Sequence, residues 1–199
     1  MKKTIFSKLM LGALVVAAGF GLTACGDDDE PKVEDKFTTE YTFEVEFSAD
    51  LLATADVKAY ILSPEGVVSE ETITKAKNTW TLKGNSIPDK AGVRFEFDAK
   101  TGDFSGDYKA GYKTNTTVTC YKNGGIESTK TEKSDETYTV PAENLTEFYG
   151  CQLTLGGTVN AQGAASVTDG SNLDFGLNGT SSRPPMGGVW GVGDGGDLH

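Results

Sequence analysis

The side chains that could carry nucleophilic or metal-binding chemistry in this chain are three cysteines, one histidine and 29 acidic residues. The histidine is His199, the last residue, so a serine or cysteine nucleophile has no base beside it in the body of the chain. No cysteine pair has the Cys-x-x-Cys spacing of a zinc site. We therefore predict no enzyme activity, no metal site and no cofactor. The one enzyme class that the residue types still permit is a glycosidase with two catalytic carboxylates, because acidic residues are plentiful.

Cys25 follows a segment that has the zones of a secretory signal. Three lysines make the start of the segment positive, and residues 9–24 carry no charge. This apolar stretch is shorter and richer in glycine than a transmembrane helix, which needs about 20 apolar residues. It fits the apolar region of a signal peptide. We predict that residues 1–24 are a cleaved signal.

The signal ends in four residues that resemble the lipobox of bacterial lipoprotein precursors, namely Leu22, Thr23, Ala24 and Cys25. The resemblance implies that the Cys25 thiol takes a diacylglyceryl group, that a peptidase cuts before Cys25, and that the new amino terminus is acylated. Two or more acyl chains hold a protein firmly to a membrane. The alternative is a plain secretory signal with an accidental cysteine, or an uncleaved anchor.

An acidic run directly after this cysteine consists of Asp27, Asp28, Asp29 and Glu30. The run resembles the export signal of surface lipoproteins in the Bacteroidota. The resemblance implies a protein that covalent lipid anchors in the outer membrane and that is exposed at the cell surface. The alternative is a solvated acidic spacer that keeps the domain off the lipid surface.

Composition divides the rest of the chain into a tether, one domain and a tail. Residues 25–38 are charged and without periodicity, which predicts a lipidated acidic tether. Residues 39–177 suffice for a single domain with its core at about 39–160. Residues 178–199 hold seven glycines and are predicted to be disordered. Without residues 1–24 the chain has 15 basic and 29 acidic residues, and this net charge of −14 excludes nucleic acid as a partner.

Apolar and polar residues alternate in two long segments. Residues 41–48 and 93–100 place aromatic and β-branched side chains on one face, which is typical of a half-buried antiparallel strand. A third strand is predicted at 107–122, and Asn123-Gly124 supplies the positive φ angles of a tight hairpin turn after it. Weaker patterns predict further strands at 57–62, 68–74, 80–83, 136–140 and 148–157.

Helix is predicted only as single turns, at 50–56 and 142–148. Many short strands without a long amphipathic helix predict an all-β antiparallel sandwich of about 7–9 strands, immunoglobulin-like or transthyretin-like. This layout resembles the small β-sandwich lipoproteins of gut Bacteroidota. A partly open barrel is the competing fold.

Cys120 and Cys151 both lie in phase with apolar residues of their strands, so both are predicted to point inward. Disulfides persist in exported domains, and Cys25 is already accounted for by lipid. A Cys120–Cys151 bridge is therefore the first prediction for this pair. The alternative is two separate buried thiols, which behave as small hydrophobes.

Aromatic side chains on an exposed sheet face could stack on sugar rings, and Tyr121 and Trp190 are the candidate ligand-binding residues. Tyr60, Trp80 and Tyr112 are further aromatic candidates, and the alternation pattern favours a core position for Trp80. Two acidic segments, 103–107 and 169–174, present oxygens at alternating spacing, but neither is a full calcium loop.

These observations favour a non-catalytic binding or adhesion module displayed on the outer membrane. Its expected ligand is a glycan or another surface protein. The alternative is a structural or accessory subunit of a surface assembly, such as a pilus or a nutrient-uptake complex.

Overall fold

The computed structural model describes residues 34–175 and Met186. Within this part the chain forms nine strands, β1 (Phe37–Phe47), β2 (Ala55–Ser63), β3 (Gly66–Ile73), β4 (Lys77–Gly84), β5 (Asp89–Ala99), β6 (Asp107–Lys122), β7 (Gly125–Pro141), β8 (Gln152–Val159) and β9 (Ala165–Asp169). Its helical elements are α1 (Ala49–Thr54), α2 (Leu145–Phe148) and the 3-10 turns Ala142–Asn144 and Gly170–Asn172.

The strands form two antiparallel sheets that pack face to face. One sheet has the order β4-β1-β6-β7 and the other has the order β3-β2-β5-β8-β9. The predicted all-β antiparallel sandwich is therefore confirmed. The strand order differs from that of an immunoglobulin constant domain, in which the first strand pairs with the second, because here β1 pairs with β4 and β6.

Alternation in the sequence explains which residues form the core. Every second residue of β1 from Tyr41 to Phe47 is buried, and Val93, Phe95 and Phe97 of β5 are fully buried opposite them. The Phe47 ring packs edge-on against the Phe95 ring, with centroids 5.3 Å apart. Each such side chain contributes roughly 1.5–3 kcal/mol by leaving water, and these two strands therefore supply the centre of the domain.

One end of the sandwich, which we call the tether end, holds the first described residues. The Asp35 carboxylate lies 2.8 Å from the Lys122 ammonium, and the Lys36 N–H donates to the Asn123 side-chain oxygen at 2.9 Å. Asn123 and Gly124 have φ angles of 52° and 83°, as the predicted hairpin turn between β6 and β7 requires. The first residues of the domain are thus fixed to this hairpin.

The opposite end, which we call the far end, holds α1, α2 and the 100–106 loop. Ser48 caps α1, because its side-chain oxygen accepts the Leu51 N–H at 3.2 Å. Both helical turns predicted from the sequence are therefore confirmed. The two ends lie about 36 Å apart, the length of an 11-residue strand.

Three boundaries differ from the sequence prediction. β7 has 17 residues although only 136–140 were predicted, because its polar sequence shows no apolar alternation and pairing with β6 holds it extended. β8 begins at Gln152 rather than at residue 148, since α2 occupies the preceding residues. β5 begins at Asp89, before the alternating segment at 93–100 that predicts it. No helix within the described residues has the length and apolarity of a membrane span.

Candidate functional site

Several predicted site residues fall outside the part of the chain that the structure describes. They are the lipobox residues Leu22, Thr23, Ala24 and Cys25, the acidic run Asp27, Asp28, Asp29 and Glu30, and the tail residue Trp190. The signal peptide, most of the tether and the predicted disorder of 178–199 lie outside it too, except at Met186. These assignments stay predictions.

The predicted Cys120–Cys151 bridge is wrong in this structure, where both residues are buried thiols without a disulfide. A disulfide needs Cα atoms within about 7 Å. Cys120 lies near the tether end of β6, whereas Cys151 precedes β8 toward the far end. Gln152, which directly follows Cys151, lines the same cavity as Tyr112 of β6. Cys120 lies eight residues further along β6 than Tyr112, and eight residues of strand span about 26 Å. Burial raises the pKa of the Cys120 thiol.

The aromatic residues do not form an exposed platform in the described part of the chain. Tyr112 is buried, and Trp80 packs its ring 5.5 Å from the Phe95 ring, as predicted for a core tryptophan. The Arg94 guanidinium covers the Tyr60 ring at 4.9 Å. Tyr121, the candidate ligand-binding residue in this part, is half-buried. Sugar stacking would need a row of open rings on one face.

The two acidic segments weighed for calcium do not assemble a carboxylate cluster. Among residues 34–175 and Met186, no group of three or more His, Cys, Asp or Glu side chains is close enough to hold a metal ion. The Asp169 carboxylate instead accepts the Ser171 N–H at 2.9 Å and caps the 3-10 turn after β9.

A cavity of about 250 Å3 lies between the two sheets, beside β7 and β9. We call it the edge groove and define it by its wall residues Tyr112, Thr114, Thr116, Glu132, Lys133, Ser134, Gln152, Leu153, Thr154, Leu155, Val167, Thr168, Asp169, Ser171 and Met186. Sequence reasoning did not find it. The one feature of the sequence that indicates the groove is a pair of threonines, which stand at positions of β6 where the alternation pattern predicts apolar residues.

The groove exists because β9 is shorter than β8. β9 pairs with β8 only from Leu155 to Val159. The chain then turns at Gly170–Asn172 and crosses sheet β3-β2-β5-β8-β9, where a Cβ on Gly156 would touch Leu173 and one on Gly92 would touch Phe175. On this side the β8 edge at 152–154 therefore has no partner strand within the described residues.

The floor of the groove carries two hydroxyls where a sandwich core would be apolar. Thr114 and Thr116 lie in register with Val45 and Phe43 of β1, so they point between the sheets. Both residues are buried and line the groove. These hydroxyls are therefore available to a polar group that enters the groove.

Gln152 brings a main-chain carbonyl to the groove, whereas its side chain shares the outer face of the sheet with Glu96, its partner in register. The Gln152 side-chain oxygen is buried and has no hydrogen-bonding partner among the described residues. A buried acceptor that stays unpaired costs about 1–3 kcal/mol. Its main-chain carbonyl accepts the Met186 N–H at 2.7 Å. The open edge of β8 thus already accepts one main-chain hydrogen bond from the C-terminal part of the chain.

Charge distinguishes this edge from the edges formed by β7 and β3. β7 carries alternating charges at 130–135, and β3 carries Glu70 and Glu71, which discourage pairing with another strand. Gln152, Leu153 and Thr154 are all uncharged. Across the groove, burial raises the pKa of the Tyr112 phenol, and the neighbouring Tyr138 adds to this effect. The phenol stays neutral, and the groove combines it with hydroxyl and apolar side chains and with the charged residues Glu132, Lys133 and Asp169.

A second concavity of about 860 Å3 opens at the far end between the 98–106 and 142–150 segments. Lys100, its basic residue, already donates to the Leu52 carbonyl at 2.6 Å. None of the buried unpartnered polar atoms found in the described residues lies in this cleft. The edge groove is therefore the better candidate site.

No family model, curated protein or solved structure matches the chain. The edge groove therefore has to be interpreted from its own chemistry.

Proposed function

We propose that the protein is a lipid-anchored lipoprotein of the outer membrane, exposed at the cell surface, whose β-sandwich is a non-catalytic binding module for an extended protein segment. The lipobox and the acidic run support the anchor and the location. The observation that carries the binding role is the uncharged open edge of β8 above the edge groove.

Strand addition is the binding mode that this geometry favours. An added strand takes its affinity from main-chain hydrogen bonds to an open sheet edge and its specificity from pockets for alternate side chains. The β8 edge supplies such groups at Gln152 and Thr154, and the groove beside them offers the Thr114 and Thr116 hydroxyls together with Leu155 and Val167.

The size of the groove favours a peptide side chain over a large glycan. Small-molecule sites usually enclose about 300–1,000 Å3, whereas the groove encloses about 250 Å3. A single large side chain fits in this space. A glycan ligand is the weaker reading, because the described aromatic residues offer no stacking platform and only the threonine hydroxyls support it.

The alternative function is a structural or accessory subunit of a surface assembly such as a pilus or a nutrient-uptake complex. The same open edge supports it, since a neighbouring subunit could supply the added strand. The two functions differ in what occupies the edge, which is a foreign partner in one case and a fixed neighbour in the other.

The anchor is tested by labelling cells with radioactive palmitate. The wild-type chain should carry label and fractionate with the outer membrane, and a Cys25→Ser variant should lose the label. External protease should degrade the wild-type chain on intact cells. Survival under protease would place the protein on the inner face instead.

The binding role is tested by screening residues 26–199 against a displayed peptide library and a glycan array. Selected peptides should shift the NMR amide signals of Thr114, Thr116 and Gln152. A Thr116→Val variant should weaken binding about 5-fold, the loss of one hydrogen bond of about 1 kcal/mol. The matched control is Thr117→Val, because the Thr117 hydroxyl lies 3.0 Å from that of Thr131 and outside the groove.

Each alternative has its own outcome in this screen. Hits from the glycan array alone would favour a glycan module. No hits in either screen, together with concentration-dependent assembly in sedimentation, would favour a structural subunit. Peptide shifts confined to the far-end cleft would remove the edge groove from the proposal.

A further inference from the structure

Met186 is the residue that already lies in the edge groove. Its N–H donates to the Gln152 carbonyl at 2.7 Å, and its side chain, which is half-buried, lines the cavity with Tyr112 and Leu155. Met186 therefore bonds to a main-chain carbonyl that an added strand would also use.

The sequence around Met186 suits this position. Pro184 and Pro185 precede it, and proline fixes φ near −65° and favours extended backbone. Neither proline has an N–H, so Met186 is the first residue after them that can donate to a sheet edge. Methionine is flexible and fills irregular apolar gaps.

The connection to the domain is short. Phe175 is buried, and the Lys90 ammonium donates to the Asp174 carbonyl beside it, so the chain is fixed at that point. Ten residues separate Phe175 from Met186, and they reach at most about 36 Å when fully extended. A segment held this way has an effective concentration near the millimolar range at the groove.

We propose that Met186, with the part of the chain that carries it, is an intramolecular ligand that occupies the β8 edge until a partner strand displaces it. This inference rests on the proposed binding function and names its regulation. The segment competes with any partner. The apparent affinity of a partner is therefore its intrinsic affinity multiplied by the fraction of molecules in which the groove is open. The chain thereby protects an uncharged sheet edge from unspecific pairing.

A pair of variants of residues 26–199 tests the proposal. Met186→Pro removes the N–H that donates to Gln152, whereas Met186→Leu keeps both the N–H and an apolar side chain. The probe is a synthetic peptide with the sequence of residues 180–192. We expect it to bind the Met186→Pro variant about 10-fold more tightly than the wild type, and the Met186→Leu variant as weakly as the wild type.

The methyl group of Met186 gives an independent readout. The chain has three methionines, and the other two, Met1 and Met10, lie in the signal. Methyl-labelled residues 26–199 should therefore show one methionine signal from the mature sequence, with nuclear Overhauser contacts to Leu155 and Thr116. Addition of a peptide selected for the groove should move this signal to the value of the free 180–192 peptide.

The outcomes separate this inference from the proposed function. Selected peptides that bind wild type and Met186→Pro equally well, with an unchanged methyl signal, would overturn the intramolecular ligand and leave the binding function standing. If no peptide binds the groove of the wild type or of either Met186 variant, both the proposed binding function and the intramolecular ligand are overturned. A dimer that dissociates on dilution with loss of the methyl contacts would show that the segment belongs to a second copy, which also overturns the proposal.

Discussion

The hydroxyl of Tyr149 lies 2.7 Å from the hydroxyl of Thr54, and both side chains are buried. Thr54 is the last residue of α1 and Tyr149 follows α2, so this hydrogen bond joins the two helices of the far end. The Thr54 hydroxyl also donates to the Asp50 carbonyl at 2.7 Å. Because Thr54 has only one hydroxyl proton, Tyr149 is the donor in the bond between them.

We predict that Tyr149→Phe lowers the free energy of unfolding by about 1–2 kcal/mol, the value of a buried hydrogen bond. Urea denaturation followed by circular dichroism measures the loss. Tyr121→Phe is the matched control, because Tyr121 is half-buried and we expect a change below about 0.5 kcal/mol. Equal losses in the two variants would show that the Thr54 contact adds nothing to stability.

Alkaline pH should destabilise the domain. Burial raises the pKa of Tyr149 to about 12 and raises the pKa values of Tyr41 and Tyr112 in the same direction, whereas an unfolded tyrosine ionises near pH 10. Between these values the unfolded chain has lost a proton that the folded domain keeps, so stability is full below pH 10 and falls as pH rises. Each tyrosine contributes at most about 1.4 kcal/mol per pH unit.

Urea midpoints at pH 8, 10 and 11, with absorbance at 295 nm for phenolate, measure this dependence. The Tyr149→Phe variant should lose stability less steeply with pH than the wild type. A midpoint that does not change between pH 8 and 11 would contradict the burial of these phenols.

Reduction should leave stability unchanged, because Cys120 and Cys151 form no disulfide in this structure. We expect residues 26–199 to show two thiols by Ellman's reagent in urea and very slow reaction when folded, since both thiols are buried and the thiolate is the reactive form. A urea midpoint that falls on addition of dithiothreitol would show a bridge instead.

Gly157→Ala should destabilise the domain by about 1–3 kcal/mol, the usual cost of overpacking. A Cβ at Gly157 would collide with the Val118 side chain and lie 3.0 Å from the Tyr41 ring. Gly125→Ala is the matched control, because the nearest atom to a Cβ there is the Lys122 carbonyl oxygen at 3.6 Å. Thermal unfolding compares the two, and similar melting temperatures would mean that the sheets can separate to admit the methyl group.

Side-chain periodicity made the centre of the sandwich predictable. The alternation at 41–48 and 93–100 identified the buried faces of β1 and β5, since a strand buried on one face must place apolar residues at every second position. Asn123-Gly124 identified the hairpin for an equally local reason, because few residues accept a positive φ.

The candidate site was not predictable in this way. The length of β7 depends on pairing with β6, and the sequence of a polar strand on a sheet edge shows no alternation of apolar and polar residues. The cysteine pattern correctly predicted that both thiols are buried. It did not predict where they lie along the strands, and Cys120 and Cys151 are therefore far apart in space.

The sequence by itself determined that this chain is an acidic β-sandwich, because the local order of residues determines which face of each strand is buried and where the chain turns. It also carries the lipobox at Cys25, on which the prediction of a membrane anchor rests. Only the tertiary structure decided that β9 stops short of Gln152 and that Met186 reaches the open edge. Such contacts join residues 34 positions apart, and they depend on how strands are placed in space rather than on any local pattern.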